Sequence, residues 1–162
     1  MREAAANTEK GLNGFKKITH AGAPGPSEKV NVCSPNMPAM AKLLIVEDDE
    51  SVRTLAARAL ERAGHAIDIA ADGAQGLSLI RAAKGGYDLV VSDIRMPEMD
   101  GIEMAVAAAA LFPAMKIMLM TGYADQRERA EELNGIILDV VQKPFTLAEI
   151  RSRVERALIC FA

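Results

Sequence analysis

The sequence contains few cysteines, and their spacing suggests no chemistry. Cys33 and Cys160 are the only two in 162 residues. Two isolated thiols provide neither a disulfide framework nor the paired Cys or His spacing of a zinc site. We therefore expect a protein of a reducing compartment, with the cytoplasm as its default location.

Long hydrophobic runs are also absent. No uninterrupted apolar stretch approaches the roughly 18 residues that a membrane-spanning helix needs. The first residues, MREAAANTEKGLNGFKKITH, are broken by charge and glycine and lack the apolar centre of a secretory signal. The sequence therefore predicts neither insertion into a membrane nor export.

The third missing feature is an excess of positive charge. Residues 1–39 carry five Lys or Arg against three Glu, so residues 40–162 carry 14 basic against 19 acidic residues, a net charge of −5. Nucleic-acid binding depends on neutralising phosphates, so this balance argues against a nucleic-acid partner. Half of the residues are hydrophobic and a quarter are charged, which is typical of a globular protein.

The composition changes near residue 40. Residues 1–39 hold four of the seven prolines, with scattered Gly, Asn and Ser and no sustained helical or strand period. We expect a disordered N-terminal extension over residues 1–39, without a function of its own, and one folded domain over residues 40–162. An alternative left open is that translation starts at Met37 or Met40.

From residue 41 onward, short apolar runs alternate with helical patterns. Strands are predicted at residues 42–46, 65–70, 87–92, 116–120 and 136–141. Helices are predicted from about residue 52 to Gly64, and at 72–83, 102–111, 124–133 and 147–161. The first helix presents one apolar face, formed by Val52, Leu55, Ala56, Ala59, Leu60 and Ala63, and the last presents Leu147, Ile150, Val154, Leu158 and Phe161. This alternation predicts an α/β fold, a doubly wound five-stranded parallel sheet with five helices.

Chemically active side chains follow four of the predicted strands. Ligands of such sheets bind beyond the carboxyl ends of the strands. The residues at these ends are Glu47, Asp48 and Asp49 after strand 1, Asp93 after strand 3, Thr121 after strand 4 and Lys143 after strand 5. Each alone is typical of a solvated turn or a helix cap. Together they predict a nucleophilic aspartate surrounded by a hard divalent cation, a hydroxyl and an ammonium group, a set suited to phosphoryl transfer.

The motifs LLIVEDDE, VVSDIRMPEMDG, MLMTGYA and QKPF occur in this order. Over about residues 41–161 the chain resembles a bacterial response-regulator receiver domain. The resemblance implies a flavodoxin-like sheet of order 2-1-3-4-5 and a cis bond between Lys143 and Pro144. It also implies a protein that is not an enzyme. Such a protein accepts a phosphoryl group from a histidine kinase or histidine phosphotransferase, and loses it by slow self-dephosphorylation.

The resemblance also implies roles for individual residues. Asp93 would be the phosphoacceptor and would share Mg²⁺ with Asp48, which binds the ion directly, and with Glu47, which acts through water. The backbone carbonyl of Arg95 would complete the protein's share of the ligands. The phosphoryl oxygens would be held by Thr121 and Lys143.

Three positions bear on switching. Val140 stands three residues before Lys143, where receivers often carry Tyr or Phe as the rotating partner of the threonine. The usual aromatic switch is therefore not expected. Arg95 and Tyr123 occupy the two positions that tune phosphoryl lifetime in the family, and the sign of their effect is left open.

The sequence ends after the last predicted helix, at ERALICFA. We therefore expect no output domain, and a protein contact through strand 4, helix 4 and strand 5 that changes on phosphorylation. Within stand-alone receivers, the motifs together with Val140 resemble the CpdR type of alphaproteobacteria. This implies a cell-cycle regulator that delivers substrates to the ClpXP protease when unphosphorylated. Its location would be the cytoplasm, with a position at the cell pole left open. The alternative is a phosphate shuttle or sink between histidine proteins.

Two other classes fit the sequence poorly. A haloacid-dehalogenase-type phosphatase needs a second acid two residues after its nucleophile, where this chain has Arg95. A flavodoxin-like flavin binder needs a Ser/Thr/Gly-rich phosphate loop after strand 1. The acidic EDDE at that position would repel the flavin phosphate.

Overall fold

The computed structural model describes residues 40–160, so the predicted N-terminal extension and Phe161 lie outside the described residues. Strands and helices alternate throughout this part of the chain. They are β1 (Lys42–Val46), α1 (Glu50–Glu61), β2 (Ala66–Ala70), α2 (Gly73–Ala82), β3 (Leu89–Asp93), α3 (Gly101–Leu111), β4 (Ile117–Thr121), α4 (Ala124–Glu131), β5 (Ile137–Gln142) and α5 (Leu147–Cys160). None of the helices described is long and apolar enough to span a membrane.

The five strands form one parallel sheet of order β2-β1-β3-β4-β5, which confirms the predicted fold. Val46 of β1 is paired with Ser92 of β3, and Asp93 is paired with Met120 of β4. At the other side of β4, Thr121 is paired with Gln142 of β5. The registers therefore bring the carboxyl ends of β1, β3, β4 and β5 to one edge of the sheet, with Asp93 and Thr121 as the last residues of β3 and β4.

The core has two layers, one on each face of the sheet. Strands β3 and β4 are buried along their whole length, as their apolar sequences predict for strands covered on both faces. Successive residues of a strand point to opposite faces. Thus Val90 and Leu119 pack in the layer shared with α2 and α3, while Val91 and Met120 pack in the layer shared with α1 and α5.

Helix α1 departs from the predicted packing. The sequence predicts Leu55 on the apolar face of this helix. In the structure its side chain is 51% exposed, and Ala57 is buried instead. The contact with the sheet uses the small residues Ala56, Ala57 and Ala59 together with Leu60. Leu55 lies at the edge of this contact, because the apolar arc of the helix is wider than the strip that the sheet covers. In the last helix, Ile150, Val154 and Leu158 are buried as predicted, whereas Leu147 is 39% exposed.

Candidate functional site

Three carboxylates converge at the carboxyl edge of the sheet. One oxygen from each of Glu47, Asp48 and Asp93 lies within 4.8 Å of the other two. Their positions follow from the pairing of β1 with β3, since Glu47 and Asp93 end adjacent strands in matching register. Glu47 and Asp93 are buried, whereas Asp48 is exposed. A set of carboxylate oxygens with one side open to solvent fits a hard divalent cation such as Mg²⁺.

Lys143 joins this acidic cluster from the far side of the sheet. Its Nζ lies 2.6 Å from Glu47 Oε2 and 3.2 Å from Asp93 Oδ1. The backbone N–H of Lys143 donates a hydrogen bond of 2.7 Å to the carbonyl of Thr121, which ties the end of β5 to the end of β4. The Lys143–Pro144 peptide bond is cis, as the family resemblance implies. The two pairs of charges place one ammonium group between two of the three carboxylates.

The charges in the cluster influence one another strongly. Burial raises the pKa of Glu47, and the hydrogen bond from Lys143 only partly opposes this effect. Burial also raises the pKa of Asp93, again with Lys143 acting in the opposite direction. For Lys143, burial lowers the pKa, but the contacts with Glu47 and Asp93 outweigh it, so the pKa is raised. One lysine therefore does not fully compensate the carboxylates, and a second cation would be favourable here.

A residue that the sequence reasoning missed holds the acidic loop in place. Arg53 of α1 donates through Nη1 to the carbonyl of Glu47 at 2.7 Å and to that of Asp48 at 3.3 Å. Asp49 does not contribute to the carboxylate cluster. Its side chain caps α1 by accepting from the N–H groups of Ser51 and Val52. An arginine near the start of a helix opposes the helix dipole, and this was a signal that it serves another purpose.

Thr121 is buried at the same edge of the sheet, but its hydroxyl is already bonded. Oγ1 accepts from the backbone N–H of Tyr123 at 3.1 Å. It donates to Oε1 of Gln126, in the first turn of α4, at 3.0 Å. Sequence reasoning also missed Gln126, because nothing in its helical pattern distinguishes it from the solvated residues around it.

Two exposed side chains meet above the site. The guanidinium of Arg95, on the β3–α3 loop, lies 5.2 Å from the centre of the Tyr123 ring, on the β4–α4 loop. This is the distance of a cation–π contact. The two positions linked by the resemblance to phosphoryl lifetime are therefore in contact with each other. The role of the Arg95 carbonyl as a metal ligand stays a prediction.

The loop after Asp93 folds back tightly onto the strand. Gly101 begins α3 and donates its N–H to the carbonyl of Ile94 at 2.8 Å. A Cβ at this position would overlap the carbonyl of Asp93, so a glycine is needed there. The capping box of α3 then uses Asp100, the last acid of the motif, and Glu103, which follows the motif, and neither joins the cluster. The loop geometry thus depends on close backbone contact with the candidate phosphoacceptor.

Helix α4 is weakly held, and Val140 lies beneath it. Ala130 is the one buried residue of α4. Val140 is half-buried and, with Arg127 and Ala130, lines a groove of about 180 Å³ between α4 and β5. An aromatic residue at position 140 would occupy part of this space. The loose packing is consistent with a helix that moves.

Comparisons with known proteins agree with the fold. Residues 43–155 match the family described as response regulator receiver domain. The response regulator receiver protein CpdR of Brucella abortus is 35% identical over 120 residues, covering 74% of this chain and 98% of that protein. The sensor kinase CckA of the same organism is 32% identical over 118 residues. That match covers 73% of this chain but 12% of the kinase, so the likeness concerns one segment of it.

Solved structures show the same architecture. The chemotaxis protein CheY4 of Vibrio cholerae superposes with a TM-score of 0.66 at 29% identity, covering 74% of this chain and all of that one. The response regulator TrrA of Thermotoga maritima, in complex with Mg²⁺ and BeF, superposes with a TM-score of 0.67 at 31% identity over the same share of this chain. The receiver domain of the hybrid histidine kinase CckA gives a TM-score of 0.62 at 30% identity, covering 72% of this chain and 98% of that domain.

Proposed function

The chain belongs to the response-regulator receiver domain family of two-component signalling, and from this membership we propose that Asp93 is its phosphoacceptor. In this proposal Glu47, Asp48 and Asp93 hold Mg²⁺, with the backbone carbonyl of Arg95 as a further ligand. The phosphoryl donor is a phosphohistidine of a histidine kinase or histidine phosphotransferase. The protein is a cytoplasmic signalling component and not an enzyme with a turnover of its own.

The observation that carries the proposal is the contact of Lys143 with Asp93. An ammonium group at 3.2 Å from Asp93 Oδ1 stands beside the carboxylate that would become bonded to phosphorus. Lys143 also contacts Glu47, on the strand next to Asp93, so it is held in position before any phosphate arrives. A nucleophilic carboxylate, two further acids and a fixed cation at one strand edge suit phosphoryl transfer better than any simple structural role.

The chemistry follows from these positions. An oxygen of Asp93 attacks the phosphorus of the phosphohistidine, an O–P bond forms, the N–P bond breaks, and the imidazole leaves. Lys143 neutralises charge on a phosphoryl oxygen, and Thr121 supplies a hydroxyl donor to another. Bound Mg²⁺ supplies further positive charge to the phosphoryl oxygens. Asp93 and Glu47 are buried, so their charges lie where the effective dielectric constant is lower than in water. This strengthens their interactions with the phosphoryl group and the cations.

For the output we propose a CpdR-like switch, in which the unphosphorylated form serves as an adaptor of the ClpXP protease in cell-cycle control. The support is that the match to CpdR extends over nearly the whole of that protein. The loosely held α4 surface, with its single buried residue, also suits an interaction surface that phosphorylation changes.

A phosphate shuttle or sink is the second candidate. It is favoured by the likeness to the receiver segment of a sensor kinase, CckA, at nearly the same identity as to CpdR. A shuttle must pass its phosphoryl group on quickly, whereas an adaptor switch must hold its state. The half-life of the phosphorylated chain, alone and with a histidine phosphotransferase, separates the two.

The first test is intact mass after incubation with acetyl phosphate and Mg²⁺. We expect wild type to gain one phosphoryl group and Asp93→Ala to gain none. The matched control is Asp125→Ala, which removes an exposed carboxylate at the start of α4 and should leave the gain unchanged. Failure of wild type to gain mass from acetyl phosphate and from a phosphorylated histidine phosphotransferase would refute the assignment of Asp93. Capture of ClpXP by the unphosphorylated form alone would support the adaptor role.

A further inference from the structure

The hydroxyl of Thr121 has one proton to donate, and its shortest hydrogen bond is to Gln126 of α4. A threonine hydroxyl offers one donor and two acceptor positions. One acceptor position is used by the N–H of Tyr123 at 3.1 Å. The donor has its shorter contact with Oε1 of Gln126, at 3.0 Å, and a longer one with the carbonyl of Tyr123, at 3.3 Å. Thr121 is 1% exposed, so water does not provide an easy alternative partner. The hydroxyl therefore cannot donate to a phosphoryl oxygen on Asp93 without leaving Gln126.

The same hydrogen bond is one of few contacts that hold the start of α4. Within α4, Ala130 alone is buried, and Tyr123 caps the helix without a side-chain hydrogen bond. A second link runs from the exposed Arg129 to the half-buried Asp100, whose charged atoms are 4.0 Å apart. A pair of this kind contributes little. Breaking the bond between Thr121 and Gln126 would therefore loosen the first turn of α4.

We propose that Gln126 is a positioning residue that competes with the phosphoryl group for the hydroxyl of Thr121. In the unphosphorylated chain Gln126 holds Thr121 and the first turn of α4 together. When a phosphoryl oxygen on Asp93 accepts the hydrogen bond of the Thr121 hydroxyl, Gln126 loses its partner and the first turn of α4 is released. This inference rests on the proposed phosphorylation of Asp93, and it assigns the link between phosphate and surface to α4 itself.

The side chain at position 140 provides no such link. Val140 lies on β5 and has neither an aromatic ring nor a hydroxyl with which to follow a movement of Thr121. The hydrogen bond of Thr121 instead runs along the chain, over five residues, to a helix of the expected output surface. The contact is local, so its response does not require a rearrangement of the core.

The effect of the competition is a lower apparent affinity for a phosphoryl group. The apparent affinity for a ligand equals the intrinsic affinity multiplied by the fraction of molecules in which the binding group is free. One neutral hydrogen bond corresponds to about a 3- to 10-fold change in such an equilibrium. Removing the acceptor at position 126 should therefore tighten binding of a phosphoryl mimic by about 3- to 10-fold.

The experiment is a titration of the full chain with beryllofluoride in the presence of Mg²⁺, followed by amide NMR because the sequence has no tryptophan. The test variants are Gln126→Leu and Gln126→Ala. Arg129→Leu is the control, since it removes the other link of α4 without touching Thr121. A further pair compares Thr121→Val with the double variant Thr121→Val, Gln126→Leu, because residues that act through one contact are not additive.

We expect tighter binding in both Gln126 variants, no change in Arg129→Leu, and no effect of the Gln126 substitution in the Thr121→Val background. Unchanged or weaker binding in the Gln126 variants would overturn the inference. An equal gain in Arg129→Leu would overturn it as well, since loosening α4 alone would then explain the effect. Failure of the proposed function is distinguishable, because wild type would then show neither beryllofluoride binding nor a phosphoryl mass gain that depends on Asp93.

Discussion

Lys143 Nζ lies 2.6 Å from Glu47 Oε2, although the two residues are 96 positions apart in the chain. Glu47 is 1% exposed, and a buried carboxylate is costly unless it is paired. Lys143 follows β5, and β3 and β4 lie between β5 and β1 in the sheet. The same ammonium group that contacts Glu47 also contacts Asp93, at the end of β3. One cation therefore joins the first, third and fifth strands of the sheet at the candidate site.

The first prediction concerns this lysine. Lys143→Met removes the partner of two buried carboxylates, and we expect it to lower the free energy of unfolding by about 1 to 3 kcal/mol at pH 7. The raised pKa of Lys143 means that its contribution is complete at neutral pH and is lost only as the pH rises above the usual lysine range.

Denaturant unfolding at several pH values measures the effect of Lys143→Met. The difference from wild type should shrink in acid, because protonated Glu47 and Asp93 no longer need a cation. Lys116→Met is the control, since the ion pairs found among the residues described do not include Lys116. An equal loss in both variants would show that the effect comes from replacing a lysine in general and not from the contacts with Glu47 and Asp93.

The second prediction concerns the cost of Asp93 itself. Burial raises the pKa of Asp93, so the folded state holds this proton more tightly than the unfolded state does. The wild-type residue therefore lowers stability above its folded pKa, and has no such effect below its unfolded pKa of roughly 4.

Asp93→Asn should consequently raise the Tm of the metal-free protein at pH 7. We expect a rise of about 2 to 4 °C, the shift that about 1 kcal/mol produces in a chain of this length. At pH 3 the two proteins should melt together. A lower Tm for Asp93→Asn at pH 7 would contradict the expected balance between burial and Lys143. Thermal unfolding in EDTA provides the measurement.

The third prediction is that Mg²⁺ stabilises the fold through the carboxylate cluster. At a concentration 100 times the dissociation constant, a ligand of the native state contributes about 2.7 kcal/mol. We expect Mg²⁺ to raise the Tm of wild type, and Asp48→Asn to lose most of this increment.

Asp49→Asn is the matched control for the Mg²⁺ experiment. Asp49 is adjacent in sequence, but its carboxylate caps α1, and asparagine serves equally well as a cap. This variant should keep the full increment from Mg²⁺. Equal losses in the two variants would mean that Mg²⁺ responds only to the total acidity of the loop.

The fourth prediction tests Arg53 as the residue that positions the acidic loop. Arg53→Met removes the hydrogen bonds to the carbonyls of Glu47 and Asp48, so the two acids lose their fixed orientation. We expect Mg²⁺ affinity, measured by calorimetry, to fall by about 3- to 10-fold, the equivalent of one hydrogen bond. Arg58→Met, on the exposed side of the same helix, should leave the affinity unchanged. Equal effects would trace the loss to net charge.

The fifth prediction concerns the loop after Asp93. Gly101→Ala places a Cβ against the carbonyl of Asp93, and backbone atoms cannot move aside cheaply. We expect it to cost about 1 to 3 kcal/mol of stability, as overpacking typically does. Gly122→Ala is the contrast, because the nearest atom to its Cβ is 3.9 Å away. Denaturant midpoints of the two variants should differ accordingly, and equal midpoints would argue against a tight loop.

Much of the fold follows from local patterns in the sequence. Strands β3 and β4, whose sequences are apolar almost throughout, are buried on both faces, because such a run cannot present a polar side to water. Gly64, predicted to stop the first helix, has a φ of 95°, which is accessible mainly to glycine. The predicted third strand began at residue 87, but β3 begins at Leu89. Tyr87 is buried before the strand begins, with its hydroxyl donating to Asp68 at 2.7 Å.

The sequence by itself determined the alternation of strands and helices and the types of side chain at the strand ends. These depend on periodicity and chain direction, which are local properties, and parallel strands necessarily bring their carboxyl ends to one edge. Only the tertiary structure decided which of these side chains contact one another. Three hydrogen bonds show this: Lys143 to Glu47, Arg53 to the acidic loop, and Thr121 to Gln126. Each depends on burial and on which neighbouring acceptors compete for the same donor. The exposure of Leu55 depends on how much of its helix the sheet covers. No local pattern encodes these quantities, because they are set by segments that meet only when the chain has folded.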